Sequence, residues 1–470
     1  MARIVVLGGG FCGLAAGLML ARADHEVTVL ERDPEPVPAS ADEAWERWPR
    51  DGVTQFRLAH FLAPGGRAVL EAELPDVLQG LVEAGGCRYD TIENLPPTIA
   101  DQERRPGDER FATVTARRPV MEQVLGGVAA REPALEVRRG CPVKSLVIAQ
   151  QHGLPHVSGV RLDTGETIAA DLVVDAMGRR SRLPRLLEDA GVGPIEEEAE
   201  DSGFIYYGRY FSSSDGSTPP LYTPPLCPLG SFSILSLPAD NGTWAVGFVT
   251  ATGDKPLKEL RHIDRWEAVL RACPAHAHLI DGEPISEMLA MGGLIDRYRR
   301  LAPGGKPRVT GVALLADAFS CTNPSLGRGI SLGLKHARSL RDTVASMDGD
   351  PLAFAEAWDL ATETKHTPWY RDTLDEDRAR LEEMEAIREG RDPSPPSDLT
   401  VLRNALITAA MTDADLFRTY LDSRVCVTTV ADSLADPAAA ARVIELAAGK
   451  TPFAFPGPDR EELTALLEAA

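Results

Sequence analysis

The chain has 470 residues, 44% of them hydrophobic and 25% charged, which is ordinary for a globular protein and long enough for about two to four domains. Against 49 Lys and Arg stand 70 Asp and Glu, a formal net charge of −21 that argues against a nucleic-acid partner and against binding to an anionic membrane surface. No run approaches the ~20 uninterrupted apolar residues of a spanning helix. The seven scattered cysteines include no CxxC, so free thiols in the reducing cytoplasm are expected, not a disulfide framework or a zinc site.

The first 21 residues are apolar, but three consecutive glycines interrupt the run where a secretory signal would be continuous. Residues 2–7 (ARIVVL) read as a buried strand, 11–22 (FCGLAAGLMLAR) as an Ala- and Leu-rich helix, and 26–31 (EVTVLE) as a second strand. Together they make a βαβ unit. A proline- and charge-rich loop is expected from Asp33 to about Arg50.

Alternation over 136–175 predicts a small antiparallel meander, turned at Asp163-Thr164-Gly165, leading into a buried strand at 171–176. The aromatic-rich stretch 202–250 predicts a second, mostly antiparallel sheet. Residues 308–316 return to a buried strand, and a helix follows over 329–345 with Ile330, Leu334, Ala337, Leu340 and Val344 at helical spacing. The remainder is helical in composition and split by Pro393–Pro396. Its acidic stretch 372–388 reads as a solvated helix face, and a charged helix closes the chain at 459–469.

Gly8, Gly10 and Gly13 form GxGxxG between the first strand and the first helix. The first glycine permits a tight turn, the second lets backbone approach a pyrophosphate, and the third lets helix and strand pack closely. The helix N-terminus offers unpaired N–H groups and a positive dipole end to the phosphates. Glu31 closes the second strand, where a carboxylate can accept hydrogen bonds from a ribose diol. An acid there favours FAD or NAD over NADP. Far along the chain, Asp317 ends a buried strand, and the loop from Thr322 to Gly329 opens a helix. An acid at that place can hold a sugar-alcohol chain, and a helix start can face a flavin that becomes anionic on reduction.

With these segments in place, the sequence resembles the FAD-dependent aromatic-hydroxylase and epoxidase superfamily over about residues 1–345. GGGFCGL…VLER resembles the ADP-binding fingerprint, DLVVDAMGRRSRLPR the middle motif, and LLADAFSCTNPSLGRGISLGLKHA the flavin-binding motif. The resemblance implies a Rossmann-like α/β FAD-binding domain built from 1–75, 105–185 and 300–345. It implies an inserted antiparallel β-sheet substrate domain at 76–104 and 186–299, and a C-terminal helical region at 346–470. Gly8, Gly10, Phe11, Cys12, Gly13, Glu31 and Arg32 would bind the ADP half. Arg118 would lie near the pyrophosphate or ribityl chain, Asp317 would hold the ribityl hydroxyls, and Pro324, Gly327, Arg328 and Gly329 would lie against the flavin ring. The segment Gly52–His60 is similar to a stretch of epoxidase-like members that approaches the ring, which makes Gln55, Arg57 and His60 contact candidates. Met177 stands where many hydroxylases have the aspartate associated with NAD(P)H use, so electrons come either from NAD(P)H or from a separate flavin reductase. Ala316 replaces the usual glycine, read as a mild change.

The implied activity is monooxygenation, in which a flavin C4a-hydroperoxide formed from dioxygen hydroxylates or epoxidises a hydrophobic small molecule, of the kind met in secondary metabolism. No catalytic residue is assigned by the sequence; His60, Tyr207 and Arg209 are candidates. In the strand Phe204–Phe211, alternation places Tyr207 and Arg209 on one face and Tyr206 and Tyr210 on the other, either of which can line the substrate cavity. His276 and His278 lack a third ligand and read as surface or turn residues, with no metal. A double-bond reductase resembling the prenyl-chain-saturating relatives and a non-catalytic FAD-binding protein are alternatives. A halogenase ranks below them, since its Trp-x-Trp-x-Ile-Pro signature is absent. The chain is expected to be a monomer or homodimer.

Overall fold

A computed structural model describes residues 1–93, 95–346, 349–451 and 454–469. Its centre is a five-stranded parallel sheet in the order Val312–Leu314, Leu172–Asp175, Arg3–Leu7, Glu26–Glu31, Leu135–Arg139. Ile4 and Val6 pack on one face with helices Phe11–Ala21, Arg118–Ala129 and Gly329–Ala345, while Val5 and Leu7 pack on the other with Val173, Val157 and Leu183. Both faces are covered, which is why these strands read as unbroken apolar runs. Helix Pro75–Glu83 shares the first core through Val77 and Leu81.

The meander forms as Val143–Gln151, Leu154–Leu162 and Thr167–Ala169, with Gly165 at φ +91° in its turn. The second sheet runs in the order Leu226–Leu229, Phe232–Pro238, Thr243–Ala251, Phe204–Ser212, and the short strands Glu283–Pro284 and Leu289–Met291 pair with its last strand. One face of this sheet packs on helix Ile263–Arg271 through Phe211, Phe248 and Trp266. The final helix, Arg460–Ala469, returns to the same core with Leu463 and Leu467.

Three expectations need correction. The loop after Glu31 contains a helix, Ala41–Arg47, started by a reciprocal cap: Ser40 Oγ accepts Glu43 N–H at 3.2 Å and Glu43 Oε2 accepts Ala39 N–H at 2.9 Å. The strand expected over 308–316 is regular only at Val312–Leu314. The acidic stretch belongs to helix Thr367–Glu389, which is not simply solvated. Asp372 and Asp377 are buried by the sequence-distant loop around Arg328, a contact that no local charge pattern reveals. Among the described residues no helix is long and apolar enough to cross a membrane.

Candidate flavin site

Register brings four carboxyl ends of parallel strands together. Leu7 pairs with both Leu30 and Asp175, and Asp175 pairs with Leu314. Ligands of open parallel sheets bind outside such ends. A cavity of about 360 Å³ opens there and extends to the second sheet.

The glycine turn is built for close approach. Gly8 sits at φ +106°, and a Cβ on it would lie 2.6 Å from Ala176 O; one on Gly13 would lie 2.0 Å from Gly8 O. A Cβ on Gly10 would meet nothing within 4 Å, so this residue faces open space. Helix Phe11–Ala21 begins at Gly10 without a side-chain cap, leaving its first N–H groups to an anion. Phe11 turns its ring into the core. Cys12 lines the cavity, its thiol pushed up to about 12 by burial and the nearby Asp317.

Glu31 ends its strand at the cavity, but its carboxylate already works within the protein. Oε2 accepts Gly9 N–H at 3.0 Å and Oε1 accepts Asp33 N–H at 2.9 Å. Arg50, which the sequence left in a loop, reaches Glu31 at 3.1 Å, Asp33 at 3.3 Å and Glu122 at 3.3 Å with a 1% exposed side chain. Burial raises Asp33, with Glu31 adding to the effect. Arg32 points outward at the rim.

On the far side of the cavity Arg118 opens helix Arg118–Ala129 and is anchored by Glu122 at 2.6 Å. Burial raises the Asp317 carboxyl, and Arg118 and Arg179 oppose that rise. His60 lies within the same field. Its imidazole is pushed down to about 3, first by burial and then by Arg118, and its Nδ1 donates to Leu58 O at 2.9 Å. This leaves a neutral ring with Nε2 as an acceptor. Gln55 lines the cavity beside it. In the middle motif, buried Asp175 accepts Met177 N–H at 3.0 Å and the Ser181 hydroxyl, and burial pushes it up to about 6.

The loop before helix Gly329–Ala345 is held from three directions. Asn323 N–H donates to Asp296 at 2.6 Å, Asn323 Nδ2 and Ser325 Oγ donate to Asp377 at 3.0 and 2.9 Å, and the Tyr206 hydroxyl donates to Asn323 Oδ1. Gly327 adopts φ +63°, with Phe61 against it, and Pro324, Gly327 and Gly329 line the cavity.

Four candidates point elsewhere. Arg328 turns its guanidinium away from the cavity to Asp372 at 2.8 Å and Thr373 at 3.0 Å, because helix Thr367–Glu389 supplies buried acceptors there. Arg57 stacks over Trp45 and Phe56 and reaches Trp48 O at 3.4 Å. Tyr207 packs against Trp266, and Arg209 bonds Glu267 at 3.3 Å, so their face of the strand meets helix Ile263–Arg271. The opposite face is the one at the cavity: Tyr206 meets the loop, and the Tyr210 hydroxyl donates to Leu58 O at 3.2 Å. His276, expected at a turn surface, is 1% exposed and bonds Thr223 at 3.0 Å.

Arg50, Glu122, Asn323 and Asp377 were missed by the sequence reading, which left open whether Tyr206 faces the cavity. Only the Ser40–Glu43 cap carried a local signal, and it marks the helix leading to Arg50. An open, uncapped helix start, a buried arginine opposite and an acid at a strand end fit the diphosphate and polyol of FAD.

The fold is that of an FAD-dependent oxidoreductase.

Residues 3–54 match the family model described as pyridine nucleotide-disulphide oxidoreductase. Among curated relatives, Protein Rv3254 of Mycobacterium tuberculosis is 29% identical over 74% of each chain. The menaquinone reductase of Mycolicibacterium smegmatis is 27% identical over 76% of this chain and 79% of its own. The structure of pqsL, described as a probable FAD-dependent monooxygenase from Pseudomonas aeruginosa, superposes with a TM-score of 0.60 at 18% identity, covering 82% of this chain and 96% of that one. The chain therefore shares the fold of a structure described as a probable FAD-dependent monooxygenase.

Proposed function

We propose that this protein is a flavin monooxygenase that hydroxylates or epoxidises a hydrophobic small molecule. The observation that carries the reading is the continuity of one cavity: the loop Pro324–Gly329 and Asp317 at one end share it with the apolar face of the second sheet, including Leu235, Leu289 and Met291. Bound FAD would supply the activation of dioxygen. The Gly8–Gly13 turn and Arg118 would hold its diphosphate, and Asp317 its polyol. The second sheet would exclude water from the reacting face. His60, held neutral, can offer Nε2 as a hydrogen-bond acceptor in the cavity.

Electrons would come from NAD(P)H or from a separate flavin reductase, since Met177 lines the cavity where an aspartate is expected. All seven cysteines are free, which supports a cytoplasmic setting. The menaquinone reductase relative favours a second reading, flavin-dependent reduction of a double bond.

One experiment separates the readings. The FAD-loaded protein is mixed anaerobically with NADH or NADPH, then with dithionite or an added reductase, and aerated with substrate candidates. Incorporation of labelled oxygen from dioxygen into product supports the monooxygenase. Product formed without dioxygen supports the double-bond reductase. Bleaching only by dithionite or an added reductase identifies a two-component system.

A further inference from the structure

The cavity wall of the second sheet has no side chains at its centre. Strand Thr243–Ala251 is buried at every position but Gly247, and Gly208 in Phe204–Ser212 is likewise half-buried between buried neighbours. The two glycines are direct cross-strand partners, and register continues the row to Leu235 on one side and Leu289 on the other. All four line the cavity. Two residues away along the strand in either direction stand Tyr206 and Tyr210, on the same face.

Backbone dihedrals do not demand glycine here, because neither residue has positive φ. Glycine inside a strand weakens it, and commonly marks a place where something approaches the backbone closely. The strands also lie close: a Cβ on Gly247 would be 3.2 Å from Gly208 Cα and from Tyr207 O. The result is a flat floor of bare peptide. Its side walls, Leu235 and Leu289, are three strand spacings apart, about 14 Å between backbones, and its ends at Tyr206 and Tyr210 are about 13 Å apart. Both tyrosine hydroxyls are tied back, to Asn323 and to Leu58 O, so the walls are held in place.

We infer that Gly208 and Gly247 determine specificity by forming a floor on which a planar, apolar, fused-ring substrate lies flat. A ring face gains dispersion contact over its whole area against such a floor, whereas a flexible chain does not. This rests on the proposed reading that the cavity takes FAD together with a hydrophobic substrate.

The test is calorimetric titration of the FAD-loaded protein with emodin, a planar tricyclic phenol, and with dodecan-1-ol, a flexible chain. Gly247→Val fills the floor. Leu289→Trp narrows it without touching the glycine backbone, so misfolding of the first variant does not end the test. Emodin affinity is expected to fall at least ~10-fold in each folded variant, with dodecan-1-ol and FAD affinities held within ~2-fold. Unchanged emodin binding, an equal loss of both ligands, release of FAD, or a wild type that binds emodin no better than dodecan-1-ol would each overturn the inference. If the wild type fails to take FAD, the flavin reading falls instead, and the emodin contrast is read on the apoprotein.

Discussion

Arg328 and Asp372, each with a 3% exposed side chain, meet at 2.8 Å and tie the loop Pro324–Gly329 to the helix Thr367–Glu389. Asp372 also holds Arg403 at 3.0 Å, and Asp375 holds the same arginine at 2.8 Å, so the Asp372 carboxylate bridges two buried cations. Asp372→Ala is expected to cost about 3–5 kcal/mol, because Arg328 stays buried without its close carboxylate while Arg403 is left to Asp375 and Glu376. Urea unfolding measures the loss, and titration with FAD should show weaker binding as the loop loosens.

Arg50 plays the matching role at the other end of the cavity. Without it, Glu31, Asp33 and Glu122 would remain close together with their shared cation gone. Arg50→Ala should destabilise the fold by about 3–5 kcal/mol. FAD affinity should fall at least ~10-fold through the displaced Glu31. Quenching of flavin fluorescence on binding gives the second number.

Ala316 is more consequential than a mild replacement of glycine. It adopts φ +51°, and its N–H donates to buried His336 Nδ1 at 3.0 Å. The left-handed conformation costs a side chain about 1–2 kcal/mol. Glycine loses about 0.5–1 kcal/mol more chain entropy on folding. Ala316→Gly should therefore gain about 0.5–1 kcal/mol, the difference between the two. His336→Leu should lose about 1–3 kcal/mol by leaving the part-buried Ala316 N–H unpaired. Thermal melts of the two variants should shift in opposite directions.

Asp377 makes stability depend on pH. Burial is the largest cause that pushes its carboxyl up to about 8, and neighbouring Asp296, itself raised to about 6, and Glu376 add to it. Because the folded state holds this proton more tightly than the unfolded chain, stability falls as pH rises from about 4 to about 8. Asp377→Asn keeps an oxygen for Asn323 and Ser325 and carries no charge. Its melting temperature should exceed the wild type's at pH 8 by more than at pH 5, and a parallel pH dependence in both proteins would contradict the assignment.

The cofactor half was legible because its signals are local. A turn that needs Gly8 and Gly13, a helix of Ala and Leu, and apolar runs covered on both faces follow from backbone sterics and short-range burial. The second sheet was also legible as alternation, but alternation defines two faces without saying which one meets the cavity. Only packing of Phe211 and Phe248 on Trp266 assigned Tyr207 and Arg209 to the far side and left Tyr206 and Tyr210 at the cavity.

The sequence by itself pointed to the FAD-type fold, its glycine turn and the presence of two sheets, since each is written in short segments whose pattern is local. The tertiary structure alone decided the charges. Arg50 finds Glu122, Arg328 finds Asp372, and Asn323 finds Asp377 across long stretches of chain, with two of these pairs reaching into helix Thr367–Glu389. A buried charge must be paired wherever the fold brings a partner, and a linear pattern of acids and bases does not say which partner that is.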